Sequence, residues 1–268
     1  MIISSNLAAQ SAANDLSKTS SALANSLAKL SSGSRIVNAY DDAAGVAISM
    51  RFDSKIDRAN AAKDNVANAM SYTQTQDAYL KRIAKTLNRM SELAMLSLDG
   101  TKSDADRTLY DNEFTQLKSY IGDVASKEFN GVSLFSSANV TSVIDSEGTS
   151  FNMSPIDLGG STYTAVTGGS ISTTGGATTA LNDIRSAITQ LAGDRATIGS
   201  YQSRLNMAND QLAATIESFG SASSLIKDVD VARESTEYSL QNILNQATTA
   251  MLAQANNLHQ SVMRLLPQ

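Results

Sequence analysis

Four acidic residues stand in pairs that could support chemistry. Asp41 and Asp42 precede Gly45, and Asp228 and Asp230 precede a helix-forming C-terminal segment. Paired carboxylates can exchange protons with a substrate or hold a metal ion. Acidic residues just before a helix more commonly accept hydrogen bonds from its free amides and interact with its dipole. Because both pairs precede predicted helices, we interpret them as helix caps.

The sequence lacks the side chains that most other kinds of catalytic site require. The 268-residue chain has no cysteine, which excludes disulfides, thiol nucleophiles and cysteine-based metal sites. Its one histidine, His259, cannot supply a histidine pair for a metal. The sequence also has no glycine-rich loop of the P-loop type. We therefore expect no enzymatic activity, no cofactor and no metal site.

The composition argues against nucleic acid and membranes as partners. The formal net charge is −5 and the sequence pI is about 4.9, so the chain should repel phosphate backbones. No apolar run approaches the roughly 18 residues that span a bilayer. The first residues also lack the basic start and apolar middle of a classical secretion signal. We expect either a cytosolic protein or export by another route.

Heptad patterns in two long segments predict a rod of helices. Apolar residues alternate there at spacings of three and four, which is typical of coiled coils. The main seam residues are Leu80, Ile83, Leu87 and Met90 upstream, and Leu181, Ile184, Ile188, Leu191, Leu205 and Leu212 downstream. A shorter seam over 110–124 follows a predicted chain reversal at Asp99-Gly100. We predict a mainly α fold, a long antiparallel coiled-coil or helical-bundle rod.

The two ends of the chain repeat this pattern with smaller side chains. The larger seam residues are Leu16, Leu23, Leu27 and Leu30 at one end, and Leu240, Leu244, Met251, Leu258 and Leu265 at the other. A seam rich in alanine and serine stabilises a lone helix poorly. We predict that the terminal helices are largely disordered in the monomer and fold only on association.

The middle of the chain differs in composition from both flanks. Residues 132–180 are rich in Ser, Thr and Gly, and the alternating runs 141–144 and 149–153 flank a turn-prone segment at 145–148. This arrangement predicts a β-hairpin. The glycine pairs at 159–160, 168–169 and 175–176 predict a surface loop. We expect residues 132–180 to form a small projection on the rod.

Four segments of the sequence resemble bacterial flagellin. They read SSGSRIVNAYDDAAGVAISM at 31–50, TQDAYLKRIAKTLNRMSELAM at 75–95, EFNGVSLF at 128–135 and STEYSLQNILNQATTAMLAQAN at 235–256. The first three look like the N-terminal core of that family, and the last looks like its C-terminal signature. The segments stand in the family's order and at its distances from the two termini, so the resemblance is highly specific.

The resemblance implies a structural subunit of the flagellar filament, active in motility. Residues 1–40 and 225–268 would form paired helices in the inner core, and residues 41–224 the outer rod with the 132–180 hairpin. The large variable outer domains of longer flagellins look absent. Within the stretch that joins the inner and outer parts, Arg35, Asp41, Asp42 and Gly45 would form the connector.

The same resemblance implies partners and a location. The chain would form a helical homopolymer and interact with a flagellar export chaperone, the type III export apparatus, and junction and cap proteins. It would be secreted into the extracellular flagellum. Arg89, Leu93 and Glu113 match the patch by which many flagellins are recognised by toll-like receptor five. The same patch packs against neighbouring subunits in the family, so an axial packing contact is the alternative interpretation.

Two other functions fit parts of the pattern. A hook–filament junction protein shares the paired terminal helices and the DDAAG-like region, but such proteins match the C-terminal signature less well. An exported coiled-coil effector or adhesin would show the heptads without needing the terminal signatures. Copy number would separate a filament subunit, which is abundant, from a junction protein, which is scarce.

Overall fold

The computed structural model describes the backbone of residues 6–264 and the side chains of residues 6–257. The prediction of a mainly α fold is confirmed. The helices are α1 (Leu7–Ser32), α2 (Ala43–Ser97), α3 (Asp104–Ala125), α4 (Ser161–Gly168), α5 (Thr174–Lys227) and α6 (Val231–Arg264). Strands β1 (Glu128–Phe129) and β2 (Val132–Ser133) form one antiparallel hairpin, and β3 (Val140–Val143) and β4 (Ser150–Met153) form a second. No helix in the described part of the chain is long and apolar enough to cross a membrane.

The chain divides into two compact units. The terminal unit comprises residues 1–54 and 218–268, and the central unit comprises residues 55–217. Helices α2 and α5 each contribute residues to both units. These boundaries fall within helices, whereas the sequence predicts a division near residues 40 and 225. The assignment of an inner and an outer part within a filament stays a prediction.

One apolar core fills the central unit, and the predicted heptad seams supply much of it. The buried seam residues are Leu80, Ile83, Leu87, Met90, Leu181, Ile184, Leu191, Leu205 and Leu212. Ile188 is half-buried and packs against the same core. Helix α3 adds Phe114, Ile121 and Val124 from its own predicted seam. Burial of each large apolar side chain contributes about 1.5–3 kcal/mol, so these seams account for the bundle.

The chain reversal predicted at Asp99-Gly100 is confirmed. Helix α2 ends at Ser97, and α3 begins at Asp104 after a short turn. Ser103 and Asp106 form a capping box, in which each side chain accepts a hydrogen bond from the other residue's backbone amide. The turn therefore has its own local stabilisation at the start of α3.

The predicted β-hairpin is also confirmed, and it lies against α2. Strands β3 and β4 flank a turn in which Asp145 accepts hydrogen bonds from the amides of Glu147 and Thr149, at 2.9 and 2.8 Å. At the same turn, Arg58 of α2 donates to the carbonyl oxygen of Ser146 at 3.0 Å. Phe151 and Met153 of β4 are buried in the core, so the hairpin is packed on the bundle rather than free-standing. All of these residues belong to the central unit.

The prediction of a surface loop at the three glycine pairs was wrong in large part. Residues 161–168 form α4, and Gly175 and Gly176 lie within the first turn of α5. The side chains of Tyr163, Val166 and Ile171 are buried in the core. Asp111 of α3 accepts a hydrogen bond from the Ile171 amide at 2.7 Å. These tertiary contacts order a segment whose local composition alone favours a loop.

The β1–β2 hairpin was not predicted, although the sequence contained its signal. Its two-residue turn is Asn130-Gly131, with positive φ angles of 51° and 77°. A turn of type I′ requires positive φ at both central positions, which Asn-Gly adopts readily. The strands are only two residues long, so no alternation of apolar and polar residues could mark them.

Candidate assembly surface

Helices α1 and α6 lie antiparallel and are joined by polar contacts. The Ser26 hydroxyl donates to Oε1 of Glu234 at 2.6 Å. The hydroxyl oxygens of Thr19 and Thr248 lie 3.4 Å apart. Beyond them along the pair, the Asn6 side-chain amide donates to the carbonyl oxygen of Ala255 at 3.1 Å. The contacts run along the described length of the pair, so the terminal helices pair with each other within one chain.

The face of α6 that contacts α1 is largely polar. Most of its partly buried residues recur at spacings of three and four, as expected for one side of a helix. These residues are Glu234, Tyr238, Gln241, Asn245, Thr248, Leu252 and Ala255. Most of their side chains carry hydrogen-bonding groups, so the α6 side of this contact contributes little apolar surface.

The apolar seam of α6 does not face α1. Leu240, Leu244 and Met251 are 48%, 39% and 65% exposed, and the neighbouring Ile243 is exposed as well. Each of the three seam residues stands one position before a partly buried residue of the polar face. One residue corresponds to about 100° of rotation around a helix. The predicted seam thus lies on the free side of α6 in the single chain.

The side chains of two further residues of the predicted C-terminal seam lie outside the described residues. Leu258 lies within α6, but its side chain is outside the described residues. Leu265 is entirely outside the described residues, and the His259 side chain is outside them too.

Helix α1 shows a similar offset at one position. Leu16, Leu23 and Leu30 are half-buried, whereas Leu27 is 54% exposed. Its neighbour Ser26 is only 5% exposed and takes the place on the inner face that the heptad pattern gave to Leu27. Serine is small and can bond to Glu234, so the inner face tolerates it. Both terminal helices therefore carry large apolar side chains on their outer surfaces.

The connector segments beside these helices are bonded to each other. Arg35 donates through Nε and Nη2 to the carbonyl oxygen of Ile226, at 3.2 and 2.8 Å. Its own amide donates to the carbonyl oxygen of Lys227 at 2.7 Å. Ser34 and Asp228 form an isolated antiparallel bridge. Because the last carbonyls of a helix lack internal partners, Arg35 acts as a side-chain cap for the end of α5.

The Asp41-Asp42-Ala-Ala-Gly45 motif forms a turn and a helix start. Asp42 accepts the Gly45 amide at 2.8 Å and caps α2, and Asp41 accepts the amides of Val37 and Asn38 at 3.1 and 2.9 Å. A Cβ atom on Gly45 would lie 2.5 Å from Oδ2 of Asp42. A side chain at position 45 would displace the capping carboxylate of Asp42, so the motif favours glycine there.

The second acidic pair divides between two roles. Asp230 accepts the amides of Ala232 and Arg233 at 3.0 and 3.1 Å and caps α6. Asp228 bonds instead to the Ser224 hydroxyl. The interpretation of these acids as helix caps is therefore confirmed for Asp42 and Asp230. Within the part of the chain that the structure describes, no three His, Asp or Glu side chains are grouped so that they could hold a metal.

In the central unit, Arg89 and Glu113 form an exposed ion pair. The guanidinium Nε and Nη2 atoms donate to the two carboxylate oxygens of Glu113 at 2.8 and 3.1 Å, and Nη1 donates to Glu92 at 3.0 Å. The hydrogen bonds from Arg89 hold the pKa of Glu113 below its usual value. Leu93 is only 1% exposed, so a partner that binds here would contact Arg89 and Glu113 rather than Leu93.

The fold and these surfaces define a class of protein. A helical chain whose apolar terminal faces remain uncovered after its own helices have paired is a structural protein built to associate with further copies. Comparison with known proteins identifies the family within this class.

The sequence matches the bacterial flagellin N-terminal helical region over residues 3–140 and the bacterial flagellin C-terminal helical region over residues 181–266. It is 32% identical to the flagellar filament 30.7 kDa core protein of Treponema maltophilum, covering 99% of this chain and 100% of that protein. It is 34% identical to a flagellin of Halalkalibacterium halodurans at the same coverage. The crystal structure of Bacillus cereus flagellin aligns with a TM-score of 0.50 and 30% identity, covering 56% of this chain and 88% of that one. The chain belongs to the bacterial flagellin family, and the alternatives of a junction protein or an effector are not favoured.

Proposed function

We propose that this flagellin is a structural subunit that polymerises into the flagellar filament by burying the outer apolar faces of α1 and α6 between neighbouring copies. The observation that carries the proposal is the exposure of Leu240, Leu244 and Met251 on α6, whose face toward α1 is largely polar. A helix pair that leaves its apolar faces in water is incomplete as a single chain. A second copy of the same chain covers those faces without requiring a foreign partner.

The energetics favour polymers over isolated dimers. Full burial of one large apolar side chain is worth about 1.5–3 kcal/mol, and these residues are already partly covered in the monomer. Association costs an estimated 4–15 kcal/mol in lost freedom of motion, so one small contact is insufficient. A subunit that adds to a growing end contacts several neighbours at once. Head-to-tail contacts that do not close on themselves generate a helical filament.

We further propose that the chain functions outside the cell and passes through the flagellar type III export apparatus with the help of an export chaperone. Junction and cap proteins would contact it at the two ends of the filament. The support is its membership of a family whose members include filament core proteins. In this role the chain needs no cofactor, and we propose that it has no catalytic activity.

A second candidate function is recognition by toll-like receptor five of an animal host. Its support is the position of Arg89 and Glu113, which present a bidentate ion pair on adjacent helices at the surface. In the filament the same pair would serve as an axial packing contact. Arg89→Ala in purified monomer should abolish the signal in a receptor reporter-cell assay. An unchanged signal with this variant would remove the residue from the recognition site.

Seeded polymerisation tests the proposed assembly face. The double variant Leu244→Ser and Met251→Ser should fail to extend short filament seeds, because its α6 offers neighbours a polar surface. The matched control, Gln246→Ser and Ala250→Ser, changes two exposed positions elsewhere on the same helix. Negative-stain electron microscopy should show long filaments for the wild type and the control. Filaments of normal length and yield from the Leu244 and Met251 variant would overturn the proposal.

A further inference from the structure

The α1–α6 pair has an unusual distribution of polarity. Ser26 is the one buried residue of α1, and its hydroxyl donates to the carboxylate of Glu234 at 2.6 Å. Hydrogen bonds to ionised acceptors are about twice as strong as neutral ones. Leu27, the residue after Ser26, and Leu240 of α6 are apolar side chains of suitable size, but both are exposed on the outer surface. The pair therefore places its strongest polar contact where a stable isolated coiled coil would place leucine.

A single polar contact in a helical seam has a known physical effect: it specifies register at a cost in stability. Apolar contacts between heptads tolerate a shift by seven residues, because the pattern then matches again. A shift of α6 by seven residues would bring Gln241 to the position of Glu234 and Ala255 to that of Thr248. The charged hydrogen bond to Ser26 and the Thr19–Thr248 contact would both be lost.

We propose that the Ser26–Glu234 hydrogen bond fixes the register of the α1–α6 pair and so aligns the apolar outer faces for assembly. This inference rests on the proposed function, since the register matters because neighbouring copies bind those faces. A slip by one heptad would displace Leu240 and Leu244 by about 10.5 Å relative to Leu27, at 1.5 Å per residue. Ser26 and Glu234 act as positioning residues in this account, and the outer residues make the intermolecular contacts.

The connector offers a competing explanation for the register. The amide of Val229 donates to the carbonyl oxygen of Gly33 at 3.1 Å, and Ser34 pairs with Asp228, so the base of the helix pair is already held. If these bonds alone fix the alignment, removal of the Ser26–Glu234 bond will leave the register unchanged. The two explanations therefore predict different results for one variant.

The lack of cysteine in the sequence allows the register to be trapped directly. Thr19→Cys, Thr248→Cys and Ala255→Cys are introduced together, so that the thiol at position 19 can form a disulfide in the native register with position 248 or in the slipped register with position 255. In the native pair the two α6 positions differ by about 10.5 Å along the helix. Mild oxidation followed by peptide mass spectrometry gives the ratio of the two disulfides within single chains.

The reporter chain is prepared in four forms. One keeps Ser26 and Glu234, and one carries Ser26→Ala with Glu234→Leu. A matched control carries Ser21→Ala with Glu237→Leu, two exposed positions of the same helices. A conservative form carries Glu234→Gln, whose side-chain oxygen can still accept the serine hydrogen. Helix content by circular dichroism, and filament yield from seeds of the unmodified protein, are measured for every form.

We expect the native-to-slipped ratio to fall about tenfold in the Ser26→Ala, Glu234→Leu form, which corresponds to the loss of about 1.4 kcal/mol. Its filament yield should fall with the ratio, while the Ser21→Ala, Glu237→Leu control keeps both values. The ratio should also fall in the Glu234→Gln form, because Ser26 then meets a neutral amide side chain in either register. An unchanged ratio would overturn the proposal and show that the connector alone fixes the register. A lower ratio with a normal filament yield would show that the Ser26–Glu234 bond has no role in assembly. If the unmodified protein forms no filaments, the proposed function fails, and the disulfide ratio still tests the register.

Discussion

Arg107, near the start of α3, is bonded to Ser97, the last residue of α2. Its Nε donates to the Ser97 carbonyl oxygen at 2.8 Å, and its Nη2 donates to the carbonyl oxygen of Asp99 at 3.0 Å. The same guanidinium forms an ion pair with Asp104 through Nη1 at 2.7 Å. Terminal carbonyls of a helix have no internal partners, so this buried side chain satisfies them. The Arg107 side chain thus caps the C-terminal end of α2 and stabilises the turn that leads into α3.

Replacing Arg107 should destabilise the central unit. Arg107→Ala removes the side-chain donor of the buried Ser97 carbonyl oxygen, and we expect the free energy of unfolding to fall by about 2–3 kcal/mol. The measurement is urea denaturation followed by circular dichroism. Arg185→Ala, at an exposed position of α5, is the matched control and should change stability little. Equal stability of the two variants would show that the Arg107 contacts contribute nothing.

A methyl group at Gly45 should loosen the start of α2. The added Cβ would lie 2.5 Å from the capping carboxylate of Asp42 and 2.8 Å from Cδ1 of Ile36. Gly45→Ala should therefore displace the cap, and loss of a cap costs about 1 kcal/mol. Faster hydrogen exchange of the amides at 45–48 would show that the cap at the start of α2 is lost.

A second glycine in the same unit supplies the control for this change. Gly220 lies inside α5, and a Cβ there would meet no atom within 4 Å. Gly220→Ala should stabilise its helix by up to about 1 kcal/mol, because alanine is the better helix former. Unchanged hydrogen exchange of the amides at 45–48 in Gly45→Ala would show that the added methyl group does not displace the Asp42 cap.

The Asp77 carboxylate should make the central unit sensitive to acid. Burial of Asp77 disfavours its charge, but hydrogen bonds from Lys81 and Arg195 outweigh this effect and lower its pKa. The two nitrogen–oxygen distances are 2.7 and 2.9 Å. Because the pKa of Asp77 is lower in the folded state than in the unfolded chain, where it is about 3.9, the ionised carboxylate stabilises the fold at pH values above about 3.9. This stabilisation is lost as the pH falls through the pKa of the folded state.

Urea denaturation between about pH 5 and pH 2 measures this contribution. The free energy of unfolding of the wild type should fall with pH more steeply than that of Asp77→Asn, which cannot titrate at this site. Asp210→Asn, at an exposed position of α5, is the control and should keep the wild-type slope. Identical slopes for Asp77→Asn and the wild type would contradict the linkage.

The terminal helices should be much less protected than the central unit in a dilute monomer. Ser26 is the one buried side chain of α1, and none is buried in α6 among its described residues up to 257. By contrast, α2 buries Leu80, Ile83 and other large residues completely. Regions with few buried apolar contacts open at low free energy. Hydrogen exchange should therefore be fast in α1 and α6 and slow in α2, and comparable protection would contradict the prediction.

The heptad pattern predicted the central unit well and the terminal unit less well. In the central unit the apolar seams face one another, so seam residues such as Ile83 and Ile184 are buried as the spacing indicates. In α6 the same spacing identified the apolar side but could not show which side contacts α1. Glu234 and Thr248 occupy that contact because polar bonds form there, and an apolar pattern does not contain this information.

Local composition gave a wrong prediction in the segment whose structure is determined by tertiary contacts. Gly168 and Gly175 indicated a loop, yet α4 and the start of α5 are held by buried residues such as Tyr163 and Ile171. The caps at Asp42 and Asp230 were predictable, because a side-chain oxygen just before a helix serves its first amides regardless of the surroundings. Arg35 was assigned to the connector by resemblance alone, and its bond to Ile226 required the structure.

The rate of Met251 oxidation before and after polymerisation tests the assembly face most directly. Met251 is 65% exposed in the single chain, and dilute peroxide converts accessible methionine to the sulfoxide. Fully buried Met90 serves as the internal reference, since it is protected in both states. We expect Met251 to react readily in the monomer and much more slowly in filaments, because burial limits the access of peroxide. An equal rate of Met251 oxidation in monomer and filament would contradict the burial of this face between subunits.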